Sequence, residues 1–218
     1  PIERFNLIND LWATVQSGLT PISKYLDFLS LVRGESDQSV WATILGSLHY
    51  LYRVMPSSSR PLLESYIREL LAPITQELGW RPMEGESTLA GQLRGEVLGA
   101  LGTIGNDGPT QAHARSLYDQ YKERPDTIDG DVLPALVSIM AQTGGPRVYE
   151  EFVQNSREAR TPQEEQRYQF ALATFKDPDL LARTLSMTLD GSVRTQNGPF
   201  LIRAVLMNPA ANKLAWKF

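Results

Sequence analysis

No cysteine occurs among the 218 residues, and histidine occurs twice, as His49 and His113. The first absence excludes disulfides and thiolate metal sites. The second leaves no histidine pair at the three- to five-residue spacing of a zinc motif, so no metal or other cofactor is expected in this chain. No apolar run approaches the roughly 20 residues that span a bilayer, and no signal-peptide pattern opens the sequence. The expectation is a soluble chain with no membrane partner, the cytoplasm being the favoured compartment. Charge of one sign is not concentrated either: Lys+Arg 21 stand against Asp+Glu 25, net −4, with no block of like residues. That balance argues against a nucleic-acid or anionic-membrane partner. Nor do β-branched residues alternate with polar ones between turn signals, so no sheet is predicted.

What the chain has is proline in one repeated place. Six of its 14 prolines stand just behind a capping type and open an apolar run: Thr20-Pro21, Gly108-Pro109, Gly145-Pro146, Thr161-Pro162, Asp177-Pro178 and Asn208-Pro209. Proline at the first helical position forfeits no hydrogen bond, and a Thr, Asp or Asn before it accepts from an orphan N–H. The chain therefore reads as a string of short helices.

The periodicity agrees. Phe5, Ile8, Leu11, Trp12 and Val15 predict a helix stopped at Gly18, and Ile22, Tyr25, Leu26 and Leu29 a second one reaching toward Gly34. Val40 to Met55 hold the 3.6 period from about Asp37 to Pro56, and Leu62 to Leu71 begin a fourth helix, with a kink at Pro73 and an end near Gly79. A fifth runs from Leu89 to Ile104. Further starts are expected near Pro109, Asp129, Pro146, Pro162, Pro178, Val193 and Pro209. Thr161-Pro162-Gln163-Glu164 reads as a capping box.

The predicted class is all-α: one helical domain over 1–218, with antiparallel helix pairs stacked as a HEAT- or armadillo-like α-solenoid. A compact irregular bundle is the other arrangement compatible with the pattern. Beginning at Pro1 and stopping in an apolar pattern at Phe218, the chain reads as a piece of something longer.

Chemistry is sparse. The carboxylate pairs Glu150-Glu151 and Glu164-Glu165 are sequence neighbours that diverge by about 100° on a helix, so neither pair addresses one substrate atom. Gly91, Gly95, Gly99 and Gly102 share a helical face, but no Lys-Ser or Lys-Thr follows to make a phosphate loop. Their expected role is close helix crossing. No catalytic residue is predicted.

Two terminal stretches carry a resemblance. Glu3-Arg4-Phe5-Asn6-Leu7-Ile8-Asn9-Asp10-Leu11-Trp12, with Gly18 and Tyr25-Leu26, resembles the "R-x-N-L-x-N-D-x-W … G … Y-L" stretch of one family. This is the C-terminal helical domain of zinc aminopeptidases of the aminopeptidase N type, including the puromycin-sensitive and endoplasmic reticulum aminopeptidases. Arg194-Thr195-Gln196-Asn197, Asn208-Pro209 and Leu214-Ala215-Trp216-Lys217-Phe218 resemble that domain's "R-x-Q-D … N-P … L-A-W-x-F". Glu35-Ser36-Asp37, Val40-Trp41 and Tyr168-Gln169-Phe170-Ala171-Leu172 fit between them.

The resemblance implies a large part of the C-terminal domain of a larger enzyme, whose zinc and catalytic motifs lie in an earlier domain. This chain alone would be inactive. It would cover the catalytic cleft of the same parent chain and shape a chamber for peptide substrates. Leu51-Tyr52-Arg53-Val54-Met55 is similar to the "M-Y-K-L-M" of the endoplasmic reticulum branch, whose Tyr-Lys pair holds the peptide's C-terminal end. Tyr52 and Arg53 are therefore the candidate substrate-binding residues. Read without the resemblance, the same helices suit a HEAT-like protein-binding scaffold unconnected to a peptidase, with Tyr52 packed in the core and Arg53 a surface charge.

Overall fold

The computed structural model describes residues 2–32 and 34–218, which form twelve α-helices, two single turns of 3-10 helix and no strand. The all-α class is as the sequence predicts. Contacts divide the chain into two units: residues 1–112 with 120–135, and residues 113–119 with 136–218.

The first unit contains α1 (Ile2–Gln16), α2 (Ile22–Leu29), α3 (Gln38–Val54), α4 (Arg60–Leu78) and α5 (Thr88–Gly102). Helix α3 packs on α1 and α5, and α5 packs also on α4. The apolar stripes meet in a core that includes Ile8, Trp12, Tyr25, Trp41, Ile44, Leu48, Ile67 and Leu71. Burying polar groups there demands partners. Tyr25 donates to Ser47 Oγ at 2.7 Å, and Tyr66 to the Leu26 carbonyl at 2.6 Å.

Two arginine–glutamate clamps hold the connections. Glu35, 6% exposed, accepts from Arg4 Nε at 2.6 Å and from the backbone N–H groups of Ser36 and Asp37 at 2.9 and 2.8 Å. Burial alone would raise the Glu35 carboxyl; Arg4 and those two N–H groups overcome it and hold the group below its ordinary range. Asp37 then caps α3, accepting from Ser39 and Val40. Arg94, fully buried on α5, donates to the Leu78 carbonyl at 3.0 Å and pairs with Glu86, which ties both ends of the α4–α5 connection.

The glycine row of α5 does what its spacing implies. Gly91, Gly95 and Gly99 face Asp131 and Ala135, with room for no side chain at Gly95. Gly18 and Gly79 follow α1 and α4 at φ 75° and 60°, the left-handed geometry that ends helices there. Helix α4 runs on through Pro73 to Leu78.

The second unit contains the middle of α6 (Gly108–Glu123), most of α7 (Leu133–Thr143), and α8 (Pro146–Glu158), α9 (Pro162–Leu172), α10 (Pro178–Ser186), α11 (Gly198–Leu206) and α12 (Asn212–Lys217). Helices α8 and α9 form its principal pair. Edge-to-face aromatics run through it: Tyr118 on Phe152 at 6.0 Å, Phe152 on Tyr168 at 5.2 Å and Tyr149 on Phe175 at 5.2 Å.

Several helix boundaries differ from those the sequence suggests. α2 ends at Leu29 rather than near Gly34, α7 begins at Leu133 rather than near Asp129, and α11 begins at Gly198 rather than near Val193. Before α11, Asp190 accepts from the Ser192 N–H at 2.8 Å and Gly191 takes φ 85°, which makes a turn instead. Pro209 does not start α12. The Asn208 side chain is engaged elsewhere, donating to the Ala173 and Phe175 carbonyls at 2.8 and 2.7 Å while its Oδ1 accepts from Ala210 N–H. Thr20 caps nothing, its hydroxyl being paired with Thr14. At α9, Thr161 accepts from the Glu164 N–H as predicted, but Glu164 reaches back to the N–H of Arg160, one residue before the expected position.

Candidate functional site

Tyr52 and Arg53 stand in the last turn of α3, directly after the buried Leu51. Adjacent positions on a helix point about 100° apart, so the two side chains meet different neighbours. Tyr52 turns toward α4. Its ring packs at the edge of the core and its hydroxyl donates to Glu64 Oε1 at 3.4 Å. The other oxygen of Glu64 accepts from Asn106 Nδ2 at 3.2 Å, and Asn106 sits in the left-handed region at φ 48°. Partial burial, then the Glu64 charge, raises the Tyr52 phenol above its ordinary value, so it is a protonated donor throughout the physiological range. Across the ring lies the Arg60 guanidinium, 5.3 Å from the centroid.

Arg53 instead lies over the ring of Tyr50, at 5.1 Å. Tyr50 in turn meets Trp12 edge-to-face at 5.5 Å, which anchors this stack to α1. The structure therefore places the two predicted residues at one end of α3, each paired with a different cation–π partner. It adds three residues that sequence reasoning missed. Arg60 reads in sequence as one of the residues before Pro61 at a helix start, Glu64 as a solvated charge, and Asn106 as part of a polar loop. Only tertiary packing joins them.

Among the described residues no three His, Cys, Asp or Glu side chains gather as a metal site. His49 donates from Nδ1 to the Leu45 carbonyl at 2.9 Å, a bond within its own helix. The α3–α4 end gathers a phenol, two guanidinium groups on aromatic faces and a carboxylate.

The class so defined is an all-helical domain with a polar, aromatic end on one helix pair. A family model described as ERAP1-like C-terminal domain matches residues 1–218, and the chain belongs to that family. Similar proteins include aminopeptidase M1-A of Oryza sativa subsp. japonica, 27% identical over 98% of this chain and 25% of that protein. Glutamyl aminopeptidase of Rattus norvegicus is 24% identical over 99% of the chain and 23% of its own length. The alanine/arginine aminopeptidase of Saccharomyces cerevisiae is 28% identical over 89% and 23%. The chain thus spans about a quarter of the length of these relatives. The resemblance seen in the terminal motifs is borne out, and no helix among the described residues is long and apolar enough to cross a membrane.

Proposed function

We propose that this chain is the C-terminal domain of a zinc-dependent aminopeptidase. It covers the catalytic cleft of its own parent chain and encloses a chamber that admits peptides. The observation that carries the reading is the family match along the whole chain, together with relatives that are aminopeptidases and that each extend well beyond it. Zinc belongs to the parent's catalytic domain in this reading, because the residues described here supply no ligand set. Closing a chamber over that site excludes bulk water and lets opening set the pace of turnover. The present domain contributes walls and contacts, not catalytic groups, and alone it is inert.

Tyr52 and Arg53 are the proposed contacts, gripping the peptide toward its C-terminal end. Supporting this, Arg53 has no carboxylate partner among the described residues and holds its guanidinium over Tyr50 by stacking alone. The test is Arg53→Ala in the full-length parent. Loss of a charge-assisted contact worth about 1.5–3 kcal/mol lowers kcat/KM for a ten-residue peptide. A small chromogenic substrate, which ends near the zinc, is little changed. A folding defect lowers both together, so equal losses, or none, return Arg53 to the role of a solvated surface charge.

A further inference from the structure

Helix α11 carries one charged residue, Arg203, and is apolar on more than one face. Gly198, Leu201 and Val205 are buried. Phe200, Arg203 and Met207, spaced three and four apart, line a different face, on which Phe200 is 62% exposed. A helix apolar around most of its circumference meets neighbours on both sides. Helix α12 packs against α11 and repeats the pattern: Ala215 is buried, whereas Trp216 is 81% and Phe218 50% exposed. Exposed aromatics on adjoining helices, rimmed by polar groups, mark a surface that another surface covers. Charge gives that surface a sign. All 25 Asp and Glu residues lie within 1–190, while residues 191–218 hold Arg194, Arg203, Lys213 and Lys217 and no acidic side chain. Arg194 is answered by Glu165, but Arg203, Lys213 and Lys217 make no ion pair among the described residues.

We infer that the α11–α12 face receives another segment of the parent polypeptide, an amphipathic helix whose apolar stripe covers Phe200, Trp216 and Phe218 and whose carboxylates meet Arg203, Lys213 and Lys217. The inference rests on the reading of this chain as one part of a longer aminopeptidase. An apolar centre with a cationic rim is complementary to an apolar stripe flanked by acids. Polypeptide to supply it is at hand, because the chain spans about a quarter of the length of its relatives. A segment of the same polypeptide docks at high effective concentration, an advantage that neither a second copy nor a separate protein has.

The experiment uses the full-length parent enzyme, and its first readout needs no substitution: hydroxyl-radical oxidation of the folded protein, with each tryptophan quantified by mass spectrometry. Trp216 is expected to be oxidised as slowly as the fully buried Trp41. Reversing the rim with Arg203→Glu and Lys217→Glu is expected to raise the Trp216 rate several-fold while Trp41 is unchanged. Rapid oxidation of Trp216 in the wild type, or an unchanged rate after charge reversal, overturns the inference. The second readout identifies the occupant, with photoreactive benzoylphenylalanine placed at position 216 and the crosslinked peptides sequenced. A crosslink within one polypeptide, to an acidic segment outside residues 1–218, supports the inference. A crosslinked dimer, an adduct with another protein or with lipid, or crosslinks confined to residues 1–218 overturn it. Aminopeptidase activity of the same wild-type preparation tests the underlying reading separately. An active enzyme with Trp216 open to solvent overturns the inference alone, and an inactive protein with Trp216 covered by its own polypeptide overturns the aminopeptidase reading alone.

Discussion

Replacing Gly95 by alanine isolates how closely α5 approaches the segment that opens α7. A Cβ built on Gly95 stands 2.1 Å from the carbonyl oxygen of Asp131, where real Cβ contacts essentially never fall below 3.0 Å. The obstacle is backbone, so it cannot rotate away; either α5 or the turn before Leu133 has to move by the better part of an ångström. Overpacking of this kind costs about 1–3 kcal/mol or more. Against it stands the gain in helix propensity, about 1 kcal/mol for Gly→Ala in a helix interior. With a backbone overlap this deep the cost lies in the upper part of that range, about 2–3 kcal/mol, so the balance for Gly95→Ala is a loss of about 1–2 kcal/mol, a fall in Tm of roughly 2–8 °C for a chain of this size.

Gly99, one turn on, is the control. Its added Cβ meets the Ala135 Cβ at 3.6 Å and Cα at 3.7 Å, ordinary contact distances. There the propensity term stands alone, and Gly99→Ala stabilises by about 0.5–1 kcal/mol. Gly91 lies between them. Its added Cβ comes 2.5 Å from Asp131 Oδ2, but that side chain is exposed and free to swing, so the substitution is nearly neutral. Urea unfolding of this chain and its three variants, followed by far-ultraviolet circular dichroism, reads all three signs. A Gly95→Ala protein as stable as wild type, or equal shifts at Gly95 and Gly99, refutes the close approach.

Two further outcomes concern other parts of the molecule. Because the Glu35 carboxyl is held below its ordinary range, its contribution to stability is complete above the unfolded glutamate value of about 4.3 and is lost as pH falls through the lower folded value. Glu35→Gln is therefore expected to cost about 1–3 kcal/mol at neutral pH. It should also flatten the dependence of Tm on pH below about 5, and an unchanged acid slope contradicts the clamp. The isolated chain should hydrolyse no aminoacyl-coumarin substrate with or without added zinc; activity removed by a chelator and restored by zinc ends the non-catalytic reading.

Helix content was legible because its signals are local. Proline at the first turn, a capping side chain and a 3.6-residue stripe act within one segment, and α3, α6, α9 and α10 start where those signals stand. The failures share one cause. Thr20 and Asn208 look like caps by type, yet their side chains are engaged by other bonds, with a hydroxyl on α1 and with two carbonyls after α9; Asp190, before the expected start near Val193, closes a turn on an N–H two residues on. The site shows the same division. Tyr52 and Arg53 could be named from a five-residue match, whereas Arg60, Glu64 and Asn106 join them only through packing between α3, α4 and the loop after α5. Nothing within any one of those segments marks the cluster.

The residues that carry the family resemblance hold the fold rather than touch a ligand. Arg4 of the opening motif closes on Glu35 of the second, and Trp41 of the third donates from Nε1 to the Glu35 carbonyl at 2.9 Å. Trp12 packs on Tyr25 at 5.1 Å, and Tyr25 is itself bonded to Ser47. Asn208 of the closing motif ties down the end of α9. Each is a buried or charge-assisted contact whose loss leaves a polar group unmet, so a change in one member requires a change in its partner. Tyr52, Arg53 and Arg60 stand apart from these clamps: Tyr52 donates to Glu64, and the two guanidinium groups stack on tyrosine rings. On the function proposed above, peptide selectivity is to be sought at the α3–α4 end rather than in the clamps, because Arg53 there stands in place of the lysine of the resembling motif and holds no carboxylate among the described residues.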